Sequence, residues 1–117
     1  MNIDAKQFTK EWIEAWNSHD LERILSHYSE DFSITSPMIS IVMKIDESTL
    51  FGKNNIKAYW FAALQKFPNL NFELKEVASS VNSIAVYYQS VIGKVAIEVM
   101  FFNEQGKVNK VISHYTN

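Results

Sequence analysis

Cysteine is absent from this 117-residue chain, so it is no disulfide scaffold and has no thiolate to offer a metal. Only three glycines occur, too few for a Walker loop or a Gly-x-Gly-x-x-Gly turn, and no Gly-x-Ser-x-Gly elbow is present. Nucleotide cofactors and serine hydrolysis are therefore not expected. Arginine is nearly missing as well: Arg23 stands alone among 11 basic residues, against 13 acids and a net charge of −2. Nucleic-acid binding has no electrostatic basis in such a chain. No apolar run approaches the roughly 18 residues that span a bilayer, and the opening residues lack the apolar stretch of a signal peptide. The expectation is a cytoplasmic protein without a membrane partner. His19, His27 and His114 have no metal-ligand spacing among themselves or with a carboxylate at i+4, which predicts no metal and no other cofactor.

Aromatic side chains, by contrast, are plentiful: 8 Phe, 5 Tyr and 3 Trp make up 14% of the chain, within a hydrophobic fraction of 47%. That composition suits one globular domain, here residues 1–117, with a core of useful size. Phe8, Trp12 and Trp16 fall at i, i+4, i+8 and predict a first helix with one aromatic face. Asn17 to Asp20 are capping-type residues, after which Leu21, Ile24, Leu25 and Tyr28 predict a short second helix. Asp31 to Ser36 alternate as a strand before Pro37, and Met38 to Ile45, β-branched and apolar, read as a second strand or a flap. Asp46 to Thr49 read as a turn. A third helix follows Gly52, with Ile56, Tyr59, Trp60, Ala63, Leu64 and Phe67 on one face until Pro68 ends it. Leu70 to Tyr115 read as four strands with turns at Ser79-Ser80, Gly93-Lys94 and Asn103 to Gly106. Helices followed by hairpin-connected strands imply an α+β fold, with three helices packed on one face of a curved antiparallel sheet.

Glu98 is the one carboxylate flanked on both sides by apolar strand sequence, Val95 to Phe102. Facing inward, it would lose solvation, its pKa would rise, and it would suit a general acid or a neutral hydrogen-bond donor. Facing a dimer surface, or paired to a buried Tyr or Trp, it would be structural. Trp12, Trp16, Trp60, Tyr28, Tyr88 and Tyr115 are either plain core or the walls of a pocket for a small apolar or aromatic molecule. Their N–H and O–H groups, which need partners when buried, favour the pocket. Val95, Ile97, Val99 and Phe101 make the opposite face of the same strand apolar too. A second copy of the sheet would cover it, which predicts a homodimer through the outer sheet face.

Four segments, taken in order, resemble the nuclear transport factor 2-like superfamily, in its SnoaL-like and ketosteroid isomerase-like branch. They are Trp12 to Glu22, Tyr28 to Phe32 leading into Ser36-Pro37, Gly52 to Trp60, and Ile97 to Val108. The resemblance implies a conical, curved sheet wrapped around a deep pocket closed by helices, the cystatin-like α+β barrel, usually dimeric through the outer sheet face. It places the isomerases' oxyanion-hole tyrosine at Trp12, their general-base aspartate at Ser36 and their protonated oxyanion donor at Glu98; that last device is already known for the isomerase itself. Trp12 retains an indole N–H, but Ser36 has no base of its own. Steroid isomerisation is thereby disfavoured. The same correspondence puts Trp16, Tyr28, Trp60, Tyr88, Met100, Val111, Ser113 and Tyr115 on the pocket wall. The functions implied are a cofactor-independent isomerase, dehydratase or cyclase using Glu98, a non-catalytic binding protein with the same pocket, or a protein-interaction module.

Overall fold

Helix α1 (Ala5–Ser18) begins where Asp4 accepts a hydrogen bond from the Gln7 N–H at 3.0 Å, and it stops where His19 turns into the left-handed region. A computed structural model describes residues 3–116 of the chain. Met1, Asn2 and Asn117, counted in the expected domain, lie outside the described residues. Asp20 caps α2 (Leu21–Leu25) in the same way, accepting from Arg23 N–H. The expected stripe through Tyr28 ends early, because Ser26 Oγ and the His27 ring both turn back onto carbonyls of α2. Tyr28 instead opens strand β1 (Tyr28–Thr35), where pairing with Val108 fixes it as an inward strand residue.

The segment after Pro37 departs from its reading as a strand or flap: Met38–Met43 is a helix, α3. Met38, Ile39, Val42 and Met43 share one helical face rather than alternating, and all four reach the core. Pro37, with φ −65°, is preset for the turn, and Ser36 Oγ accepts the Met38 N–H at 3.1 Å. Strand β2 (Thr49–Phe51) replaces the end of the expected turn. Its pairing with β1 sets Thr35 Oγ1 against Thr49 Oγ1 at 2.8 Å. Helix α4 (Lys53–Lys66) then follows Gly52, whose φ of +88° suits a residue without Cβ.

Strands β3 (Glu73–Ser79), β4 (Ser83–Gln89), β5 (Val95–Phe102) and β6 (Val108–Tyr115) form the expected run of hairpins. The fold is α+β, with a six-stranded, curved and unclosed sheet in the order β2-β1-β6-β5-β4-β3. Two details differ from the sequence reading. Four helices, not three, accompany the sheet, and β1 runs parallel to β6. A parallel pair needs a long crossover, and everything between β1 and β6 supplies it. Along β5, Ala96, Glu98, Met100 and Phe102 are buried beneath the helices, whereas Val95, Ile97, Val99 and Phe101 stay half-buried or exposed. None of the helices is long and apolar enough to cross a membrane, among the described residues.

Candidate functional site

β5 delivers Glu98 to the concave side of the sheet, where it is 5% exposed. Its register sets Ser113 of β6 directly opposite on one side and Val86 of β4 on the other. Ser113 Oγ donates to Glu98 Oε1 at 2.7 Å, and the Tyr88 hydroxyl donates to the same oxygen at 3.2 Å. No donor among the described residues reaches Oε2. Burial pushes the Glu98 carboxyl above its ordinary value, and the hydrogen bonds from Ser113 and Tyr88 offset that only in part. Burial likewise raises the hydroxyl pKa values of Tyr28, Tyr59, Tyr88 and Tyr115, with Glu98 adding to each. These four phenols are hydrogen-bond donors at neutral pH, never bases.

Glu98 lines a cavity between the sheet and helices α1, α3 and α4, in which the centre of a water molecule can occupy about 50 Å³. That exceeds the roughly 10–15 Å³ a cavity needs to hold a single water. Of the residues expected on a pocket wall, Trp12, Trp16, Trp60, Tyr88, Ser113 and Tyr115 line this cavity. Tyr28, Met100 and Val111 do not: all three are buried behind the wall, in the core. Tyr28 spends its oxygen there, accepting from Trp12 Nε1 at 2.8 Å. That bond also corrects the expectation of a free indole donor at Trp12. Trp16 Nε1, also enclosed, makes no hydrogen bond.

The rings are mutually braced. Trp12 and Phe72 stack with centroids 5.9 Å apart, and Trp16 meets Trp60 edge-on at 5.0 Å. Phe72, which the sequence reading did not single out, is held by Asn17: Asn17 Nδ2 donates to the Phe72 carbonyl at 2.9 Å, and Phe72 N–H returns a bond to Oδ1 at 2.6 Å. Tyr59 and Phe67 also line the cavity, and both sit on the apolar stripe already legible in α4. Met38 and Val42 line it because α3 is a helix. Ser36, in the place of the isomerases' base, is buried with its Oγ engaged by the Met38 N–H and does not line the cavity. His114 is exposed, its Nδ1 3.2 Å from the Ile97 carbonyl. Among the described residues no three His, Cys, Asp or Glu side chains gather closely enough to hold a metal ion.

The SnoaL-like domain family matches residues 9–116, nearly the whole chain. This chain belongs to the SnoaL-like family. A SnoaL-like protein of unknown function from Burkholderia thailandensis is 42% identical, with a TM-score of 0.89 over 97% of this chain and 95% of that one. A candidate isomerase of the same family from Agrobacterium tumefaciens is 20% identical, covering 97% of each chain with a TM-score of 0.77. An epoxide hydrolase/cyclase-like enzyme of pyran ring formation in the polyether salinomycin is 14% identical, covering 95% of this chain and 89% of that one, with a TM-score of 0.74. The last two likenesses concern the fold. No curated protein matches the sequence of this SnoaL-like domain.

Proposed function

We propose that this SnoaL-like domain binds a small, uncharged, largely apolar molecule carrying a carbonyl or ether oxygen, and acts on it without a cofactor as an isomerase, dehydratase or cyclase. The observation that carries the reading is a buried carboxyl, its pKa raised by desolvation, on the wall of an aromatic cavity. Oε1 already accepts two hydrogen bonds, so the acidic proton belongs on Oε2. An oxygen placed against Oε2 would be hydrogen-bonded or protonated as charge develops on it, the work of a general acid or an oxyanion donor. Trp16, Trp60 and Tyr88 would hold the apolar part. The candidate isomerase and the cyclase-like enzyme of the same fold support this class of chemistry without deciding the reaction. Ser36 favours a second reading, a binding protein that performs no chemistry, since nothing beside Glu98 on the cavity wall can take a proton from carbon. As its assembly we propose a homodimer through the outer face of β4, β5 and β6.

Tryptophan fluorescence tests the site, because Trp12, Trp16 and Trp60 are its walls. Wild type and Glu98→Gln are titrated with aromatic and polycyclic ketones and phenols from about pH 5 to about pH 9, and product formation is followed in parallel. The amide keeps a donor but cannot give up a proton to the ligand. Affinity that weakens as pH rises in wild type and is level in Glu98→Gln, with turnover lost in the variant, is the expected result. Binding without product in either protein favours the second reading. Equal binding and equal turnover by the two proteins would remove Glu98 from the mechanism.

A further inference from the structure

A second hollow adjoins the cavity at Glu98. It is wider and lies outside the first, a water centre can occupy about 380 Å³ in it, and the two share Phe67, Leu70, Ser90 and Val91 as a common wall. One side of that wall is pinned: the Leu70 carbonyl lies 2.7 Å from His19 Nε2, and Leu70 N–H donates to the Phe67 carbonyl at 3.0 Å. The other side is a single 3₁₀ turn, Val91–Gly93, in which Ile92 has φ 51° and ψ 38° with its side chain largely exposed. A β-branched residue in the left-handed region is a strained one. The wall therefore has one fixed jamb and one stressed one.

The two chambers differ in chemistry. Apart from Glu98, no ionisable acid or base other than tyrosine lines the inner one, so no cationic side chain there would compensate a buried anion. The outer chamber contains Lys66, the sole charged side chain on its wall, with Asn69 and Asn71 beside it. Lys66 makes no ion pair among the described residues; its Nζ sits 5.9 Å from the centre of the Phe67 ring. The Asn69 and Asn71 side chains make no hydrogen bond there either.

We propose that the two hollows form one site for a two-part ligand: an uncharged ring system reaching Glu98, joined to an anionic oxyacid group that stays outside on Lys66, Asn69 and Asn71. This rests on the inner cavity being a ligand site. The turn at Val91–Gly93 yields to admit the connecting segment. The competing account makes Lys66 a cation that merely complements the carbonyl end of α4.

Calorimetric titration of the full chain with three probes separates these outcomes. The probes are 2-acetylnaphthalene, the same ketone extended by a butanoate chain, and the methyl ester of that butanoate. The carboxylate is expected to bind about threefold to tenfold more tightly than the ester at low salt. That advantage should vanish in Lys66→Gln and fade near 1 M salt, where the screening length is about 3 Å. Lys66 is exposed, so its replacement leaves the fold intact. If ketone and ester bind but the carboxylate gains nothing, or the gain survives in Lys66→Gln, the outer subsite is wrong and the inner site stands. If none of the three binds, both readings fall.

Discussion

The two faces of β5 are written in nearly the same apolar alphabet and end in opposite environments. Inward, Ala96, Met100 and Phe102 are buried with Glu98 among them; outward, Val95, Ile97, Val99 and Phe101 keep contact with solvent, Ile97 at 40% exposure. The register extends the contrast across the sheet, setting Ala85, Val99 and Ile112 in one outward row and Tyr87, Ile97 and His114 in the next. Apolar alternation alone thus does not distinguish a face that lines a cavity from one that meets solvent. The lone carboxylate marks the difference: an acid sunk among rings costs stability unless it is hydrogen-bonded, and Ser113 and Tyr88 supply those bonds to Glu98. A bond to a buried tyrosine is also what a structural acid would make, so the function proposed above rests on Glu98 lining the cavity as well.

The largest test of the contrast is Met100→Ala. Met100 has no solvent contact, and truncating such a methionine costs about 2–5 kcal/mol, to be read from the midpoint of urea unfolding. Ile97→Lys on the opposite face should change the stability of the protomer by no more than about 0.5 kcal/mol. In light scattering the same variant should shift mass from dimer to protomer, and an unchanged dimer would place the partner surface elsewhere. The pH profile is subtler. Because the folded state holds the Glu98 proton more firmly than the unfolded chain does, the folded state binds more protons between the two pKa values. Stability therefore declines as pH rises from the ordinary carboxyl value, 4.5, toward the raised one. Glu98→Gln should lack that contribution, and identical profiles for the two proteins would contradict the desolvated acid.

Much of this was legible in the sequence because period and burial agree. The stripe Phe8, Trp12, Trp16 and the stripe of α4 became helices with those faces inward, whereas the direction of Glu98, left open by a strand apolar on both faces, is decided by the structure. The failures have local causes. At Met38–Met43 the propensity of Ile and Val for strands competes with a serine that caps and a proline that presets φ, and the latter prevail. Tyr28 fits the helical spacing of α2 yet belongs to β1, since its pairing partner Val108 is remote in sequence. The indole N–H that the sequence leaves available at Trp12 is taken by Tyr28, 16 residues on, which pairing in β1 brings within 2.8 Å. Phe72, Ser90 and Val91 lie on connections whose arrival at the cavity depends on tertiary bonds such as those of Asn17, which leave no periodic trace.

The parallel pairing of β1 with β6 carries a consequence for how the molecule comes into being. β6, last of the strands in chain order, lies inside the sheet, between β1 and β5. Until it arrives, β1 and β2 on one side and the β3 to β5 meander on the other are separate pieces with unsatisfied edges. Ile34 must find Val111, and Thr35 must find Ile112, across most of the chain. Contacts of that separation close loops before they yield stabilisation, which slows folding and prolongs the exposure of the tryptophan face to other chains. A ribosome therefore delivers the keystone of this sheet after the other five strands, and without Val108–Tyr115 two half-sheets would remain with no floor beneath the helices.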